Sequence, residues 1–328
     1  MPVPSGALRF NSDSGKLEYY NGEAWWQIDN FSADNATGGA RGVFSGGYGI
    51  TPTTSINTID FVTIASTGNA LDFGDLYSTG YTSNSCASTT RGITGGGYPA
   101  TNVIQYITIS STGNSQDFGD LTQARYYSAG LSNATRGIFG GGVTNLTGTN
   151  FNIIDYITIA ATGNAVDFGD LTVARLRLGA LSSTTRGIFG GGEEPNINTI
   201  DFVTISSAGN AIDFGDLTVI RAGIGGCSNS TRGLFGGGGV PAGSSNVVEF
   251  ITIASTGNAV DFGDSTVARN NMGACSSPTR GVWGGGYQPF QNVIDYVSIM
   301  SIGNAVDFGD LTIRRDALGG LSNGHGGL

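Results

Sequence analysis

Residues Asn152 to Leu171 read Asn-Ile-Ile-Asp-Tyr-Ile-Thr-Ile-Ala-Ala-Thr-Gly-Asn-Ala-Val-Asp-Phe-Gly-Asp-Leu. Asn152 to Ile159 alternates apolar with polar side chains, the pattern of a strand with one face buried. Thr162-Gly163-Asn164 supplies a tight reversal, because Gly163 or Asn164 is able to take a positive φ. Val166 to Leu171 then runs as the next strand. Working outward, Leu178 to Ser182 is a short apolar strand, Ser183-Thr184-Thr185 a polar turn, and Arg186 to Gly192 a strand ending in a glycine triplet. The same unit recurs along the chain. Asp-Phe-Gly-Asp begins at Asp72, Asp117, Asp167, Asp213, Asp261 and Asp307, and Arg-Gly stands at Arg41, Arg91, Arg136, Arg186, Arg232 and Arg280. These six copies recur every 45 to 50 residues, too long for paired helices and suited to four short strands with their turns. No stretch shows a helical period, so the chain is predicted to be all-β.

Four-stranded sheets repeated radially protect their own edges, which makes a six-bladed β-propeller the expected architecture. The glycine triplets fit it, since inner strands crowd where side chains have little room. Each follows an apolar pair such as Ile138-Phe139, Leu234-Phe235 or Val282-Trp283, against a flexible loop. The unit resembles the kelch motif in its double glycine Gly190-Gly191, the third-strand aromatic Tyr156, the fourth-strand aromatic Phe168 and the following Arg175. The likeness covers about residues 41–322 and departs in having Phe where kelch repeats usually carry Trp. It implies a kelch-like propeller, a fold that serves many functions.

The repeat region begins at a second strand, Arg41 to Gly47, and ends in Ala317 to Ser322, which has the first-strand pattern with nothing to follow. The two incomplete ends complement each other, so the C-terminal strand is predicted to complete the blade begun at Arg41. The expected organisation is a small β module over 1–30, a linker over 31–40, the propeller over 41–323 and a tail over 324–328.

Composition narrows the function. Net charge is -10, and no basic stripe appears, which argues against a nucleic-acid partner. No apolar run reaches the length of a membrane span, and no secretory signal is visible at the N-terminus. Cys86, Cys227 and Cys275 each lie five residues before the Arg of a Thr-Arg-Gly, where other repeats carry Leu131 and Leu181. They are expected to be core hydrophobes rather than disulfides or metal ligands. Charge in register, comprising Arg125, Arg175, Arg221, Arg269 and Arg315 with Asp60, Asp155, Asp201, Glu249 and Asp295 and the Asp-Phe-Gly-Asp aspartates, is expected to pair between blades. Those aspartates offer too few oxygens for calcium. The single histidine, His325, lies in a Gly-rich tail, and no nucleophile, zinc or phosphate-loop motif is present. The chain is therefore read as no enzyme, with no cofactor and no metal. The sequons at Asn35, Asn133, Asn145 and Asn229 carry no weight without a signal sequence.

Function is expected where the repeats differ. The second-to-third-strand connections, from Tyr48, Tyr98, Val143, Glu193, Gly239 and Tyr287, vary in length and chemistry, and all should emerge on one face beside the fourth-to-first connections. Tyr48, Tyr98, Tyr287 and Phe290 are candidates for sugar stacking or protein contact, with Asn145, Phe151, Glu193 and Glu194 as further loop-face candidates.

The N-terminal segment stands apart. Leu8-Arg9-Phe10-Asn11, Lys16-Leu17-Glu18-Tyr19-Tyr20 and Trp25-Trp26 read as short strands turning at Ser14-Gly15 and Asn21-Gly22. Three short strands need a surface to dock on, and Phe10, Tyr19, Tyr20, Trp25 and Trp26 are the candidate anchors. The segment resembles a module of structural and fibre proteins of tailed bacteriophages. The repeat Ile-Thr-Ile-Ala-Ser-Thr-Gly-Asn-Ala-Val-Asp-Phe-Gly-Asp is similar to those in virion proteins of marine and cyanobacterial phages. The resemblance implies a virion structural protein, a tail fibre or a capsid or tail appendage. It would hold other virion proteins through residues 1–30 and present the propeller to host-surface glycan or protein, oligomeric on the particle. A kelch-type intracellular adaptor and a glycan-active enzyme are the alternatives.

Overall fold

The computed structural model describes residues 3–11, 16–27, 40–50, 53–81, 84–145 and 148–324; of Phe10, Asn11, Lys16, Leu17, Gln27 and Thr53 it describes the backbone alone. The turn expected at Ser14-Gly15, residues 31–39 of the linker with Asn35, and His325 lie outside these residues. The chain divides into two compact units, residues 1–38 and 39–328.

In the first unit Leu8–Asn11, Lys16–Tyr20 and Trp25–Gln27 form an antiparallel three-stranded sheet. The turn at Asn21 is held by its own side chain, whose Oδ1 accepts the N–H groups of Glu23 and Ala24. Tyr20 lies against Trp25, and the Arg9 guanidinium sits over the Trp25 ring at 4.2 Å while pairing with Glu18. Tyr19 and Trp26 are opposite each other and exposed.

The second unit is all-β, built from four-stranded antiparallel sheets and consistent with a β-propeller-like fold. Six such sheets occur among the described residues. Sheet I takes its first strand from the C-terminal end, Gly319–Ser322, which pairs with Arg41–Ser45; Thr58–Thr63 and Leu71–Asp75 follow. Sheet II contains Ser85–Ala87, Arg91–Gly95, Thr101–Thr108 and Gln116–Arg125. Sheet III runs from Ala129 to Asp170, sheet IV from Gly179 to Asp216, sheet V from Gly225 to Asp264 and sheet VI from Gly273 to Asp310. First strands of consecutive sheets touch, II on III, III on IV, and so on to VI on I and I on II.

The repeated residues acquire their reasons at the junctions between sheets. The fourth strand carries a buried Phe (Phe73, Phe118, Phe168, Phe214, Phe262 or Phe308) into the core between sheets. The glycine after it passes so close to the next sheet's Gly-Asn turn that a Cβ on Gly169 would stand 2.5 Å from the carbonyl of Gly209. That turn is stitched on by backbone: Gly209 N–H donates to the Phe168 carbonyl, Ala211 N–H to the Asp170 carbonyl, and Asn210 Oδ1 accepts the Asp170 N–H. The pattern runs on to sheet I, where Gly68 N–H donates to the Phe308 carbonyl. Each arginine of Arg-Gly lies over the third-strand aromatic of its own sheet and donates to a carbonyl of the next, Arg186 to Ile253 and Arg280 to Ile64. The glycine of Arg-Gly leaves room for the preceding sheet's first strand. Cys275 Sγ fills it at Gly42, Cys86 at Gly137 and Cys227 at Gly281, as Leu131 does at Gly187. All three thiols are buried, and burial pushes their pKa up, to about 12 for Cys275, so they are small hydrophobes with little thiolate character.

The glycine triplets do two jobs, only one of which crowding explains. Gly190 lies flat under Phe235 of the next sheet, 2.8 Å from a would-be Cβ, whereas Gly191 (φ 62°) and Gly192 (φ 131°) are left-handed and turn the chain out of the strand.

Candidate functional site

Five junctions carry a fully buried ion pair. Arg125 reaches Asp155 at 2.8 Å, Arg175 reaches Asp201 at 3.0 Å, Arg221 reaches Glu249 at 2.9 Å, Arg269 reaches Asp295 at 2.6 Å and Arg315 reaches Asp60 at 3.1 Å. Each acid also accepts the N–H and hydroxyl of a threonine, as Asp201 does from Thr172 and Asp60 from Thr312. Burial draws the arginine pKa values down and the partner carboxylate opposes it. The Asp-Phe-Gly-Asp carboxylates, grouped with these in the sequence reading, form no ion pair among the described residues; their backbone is what the junction uses.

The junction of sheets I and II breaks this register. Gly80 stands in place of the arginine and Gln105 in place of the acid, with Gln105 Oε1 accepting the Tyr77 N–H at 2.8 Å and the Ser115 hydroxyl at 2.7 Å. Thr94 replaces the buried aromatic and Ser45 the glycine beneath it, their hydroxyls 3.3 Å apart. Immediately after Gly80 comes Tyr81, at the mouth of an open cavity of about 620 Å³.

That cavity lies where the fourth-to-first connections pair with the second-to-third loops. Tyr81 bridges Tyr98, and Arg315–Asp316 pairs with Tyr48–Gly49. Its walls hold Tyr48, Tyr81, Tyr98, Tyr127, Tyr287 and Phe290, with Asp316 among them. Tyr81 stacks on Tyr98 (centroids 4.7 Å, 14°), Tyr48 meets Tyr81 edge-on, and Phe290 joins Tyr48 to Tyr287. Below, Tyr126, Val143 and Leu176 form a buried apolar cluster that holds Tyr81 and Tyr127 in place. Tyr98 and Tyr287 remain exposed at 42% and 39%, so ring faces and edges are open to a ligand.

After five of the fourth-to-first pairing positions the next residue is left-handed: Tyr127 (φ 55°), Arg177 (54°), Gly223 (64°), Asn271 (53°) and Ala317 (50°). These residues hydrogen-bond in series, Arg177 N–H to Tyr127 carbonyl, Gly223 to Arg177, Asn271 to Gly223 and Ala317 to Asn271. Glycine fits at this place, as Gly223 demonstrates, yet the others accept the cost of a side chain at positive φ, a strain that gathers at functional sites. Their side chains explain it in part. Arg177 lies over the Tyr127 ring at 4.3 Å, donates to its hydroxyl at 3.0 Å and pairs with Glu193 at 3.1 Å. Asn271 Nδ2 approaches Asp316 Oδ2 at 3.4 Å.

Asp316 is unlike the five junction acids. No arginine or lysine pairs with it among the described residues. Burial raises its carboxyl to a pKa of about 6, against the Asn271 hydrogen bond and the nearby Arg177 charge, which lower it. Burial also pushes the Tyr81 phenol up, with Tyr127, Tyr98, Tyr126 and Asp316 adding to the rise.

Of the loop-face candidates, Tyr48, Tyr98, Tyr287 and Phe290 converge on this basin. Glu193 reaches it only through Arg177. Glu194 is exposed, and its carbonyl accepts from Asn150 Nδ2. Asn145 is exposed with its carbonyl accepting from Gly148, and Phe151 donates its N–H to Gly142; neither lines the basin. Tyr81, Tyr127 and Asp316 were missed. Their signal was the place after the in-register arginine, where Arg125-Tyr126-Tyr127 aligns with Arg315-Asp316-Ala317. Among the described residues no three His, Cys, Asp or Glu side chains gather as metal ligands would, and no helix is long and apolar enough to cross a membrane. No protein-family model matches the chain, and no curated protein matches it.

Proposed function

We propose that the chain acts by binding, as a structural component of a bacteriophage virion, and that the aromatic basin is its ligand site for host-surface glycan. In this reading the six sheets are the blades of one closed kelch-like propeller. The contact of sheet VI with sheet I, and the Arg280–Ile64 and Gly68–Phe308 hydrogen bonds across it, support closure. Residues 1–30 attach the chain to other virion proteins. Their resemblance to phage fibre modules supports this, as does the exposed pair Tyr19 and Trp26.

The basin is the observation that carries the reading. Sugar rings present flat C–H faces and hydroxyl rims, and a cluster of open aromatic rings beside a carboxylate and an amide meets both. A rigid frame with one irregular, aromatic-rich patch on its loop face is how binding is grafted onto repeat folds. A glycan array and whole host cells, probed with the wild-type chain and with Tyr98→Ala and Tyr287→Ala, test it. Wild-type binding that both variants lose while keeping their melting temperatures supports the reading. Glycan or cell binding untouched by both variants moves the site elsewhere. Capture of a cytoplasmic protein with no glycan signal favours the adaptor.

A further inference from the structure

Resting on the basin being the ligand site, we infer that its ligand carries an alkylammonium group, seated among the rings of Tyr48, Tyr81, Tyr98, Tyr127, Tyr287 and Phe290 and against the carboxylate of Asp316. The walls come first. Aromatic rings offer electron-rich faces to a cation, and several rings about one cavity are how quaternary and primary ammonium groups are held apart from neutral isosteres. The cavity, about 620 Å³, is wide enough for such a group with the body of a sugar or headgroup attached.

Charge then selects among ligands. The chain elsewhere matches its buried acids with arginine, five times over. Asp316, half-buried on the strand that pairs with Tyr48, is met by the amide of Asn271 at 3.4 Å and its own backbone N–H, and by no paired cation among the described residues. The nearest cation, Arg177, is already engaged by Glu193 at 3.1 Å and by Tyr127. Arg177 and Glu193 cancel, and Asp316 leaves the basin one net negative charge. Arg314 lines a neighbouring cavity that shares Tyr287 and Phe290, but no arginine or lysine lines the basin itself, so an anionic ligand seated in it meets no cation. A neutral one leaves a partly desolvated carboxylate without a counter-charge. An ammonium group answers the rings and the carboxylate together.

The test is calorimetric titration of the full chain with four probes. Choline and glucosamine are the cations, and 3,3-dimethylbutan-1-ol and N-acetylglucosamine are their neutral counterparts. Saturable binding of choline points to a quaternary headgroup or substituent, and preference for glucosamine points to an amino sugar. Either supports the inference if Asp316→Asn weakens it at least about tenfold and the neutral counterpart binds no better than to that variant. Tyr287→Ala, an exposed loop position, is the second variant and is expected to weaken the same probe with Asp316 intact. The inference falls if a neutral probe binds as well as its cationic counterpart, or if Asp316→Asn leaves affinity unchanged. It also falls if no probe binds while the glycan array is positive; in all these cases the binding reading stands. That reading fails separately, when neither probes nor glycans are retained.

Discussion

Asp201 and Asp316 are both acids withdrawn from water, and they do opposite things. Asp201 lies in a junction with Arg175 at 3.0 Å, the Thr172 hydroxyl and the Thr172 N–H all directed at it. Its charge is answered from within the protein, and copies of it recur around the fold. Asp316 occurs once, lining an aromatic basin, with burial raising its carboxyl to a pKa of about 6 and no cation paired with it among the described residues. The junctions are a frame in which each buried acid closes on an arginine and a threonine. The basin leaves one group open, and that difference separates what stabilises this protein from what it is proposed to do.

The sharpest way to break the comparison is to open a junction. Arg175→Ala strands Asp201 in the interior and is expected to cost about 3–5 kcal/mol, read by chemical denaturation. A loss under about 1 kcal/mol would place this pair with exposed ones. Next comes the backbone seam. Gly169→Ala drives a Cβ to 2.5 Å from the Gly209 carbonyl at a φ of 144°, and should cost about 1–3 kcal/mol. Gly163→Ala, whose Cβ meets nothing within 4 Å, should cost less, because it bears the conformational penalty alone. The neutral junction supplies the smaller contrast. Gln105→Ala takes the acceptor from the Ser115 hydroxyl but leaves the Tyr77 N–H its bond to Ser115 Oγ and strands no charge, so a loss of about 1–2 kcal/mol is expected, below that of Arg175→Ala in the same assay.

The frame was largely legible before any coordinates, because each repeated residue does a repeated job. Arg-Gly, the glycine triplets and Asp-Phe-Gly-Asp mark the strands closely, and strand ends differ by a residue or two where Gly191 and Gly192 leave the ladder to turn. What the triplets and the Asp-Phe-Gly-Asp glycines are for was less visible. Gly169 is required by a turn some forty residues later in a different sheet, a contact no local pattern encodes. The count of five arginines and five acids against six repeats already hinted at an irregular junction, which Gly80 and Gln105 now locate. The basin was half legible. Tyr48, Tyr98 and Tyr287 follow glycine pairs and break the repeat, so they stood out. Tyr81, Tyr127 and Asp316 come from the other set of connections, and Asp316 meets Tyr48 only through the pairing of the two chain ends. The left-handed series through Tyr127, Arg177, Asn271 and Ala317 had no sequence signal, since positive φ was expected only at glycine and asparagine in turns.

The difference between the two acids also has a sign in pH. A carboxyl whose folded pKa is about 6 lies above the ordinary unfolded value near 3.9. Between these values the folded chain holds a proton that the unfolded chain has released. Asp316 therefore adds stability as pH falls from about 6 to about 4, and withdraws it as pH rises. The decisive measurement is thermal unfolding of Asp316→Asn beside the wild type at pH 7 and again near pH 4. The predicted result is a melting temperature for Asp316→Asn equal to or above that of the wild type at pH 7, with any gain disappearing near pH 4. A melting temperature several degrees below the wild type at pH 7 would make Asp316 a sixth structural acid and contradict the division between frame and basin.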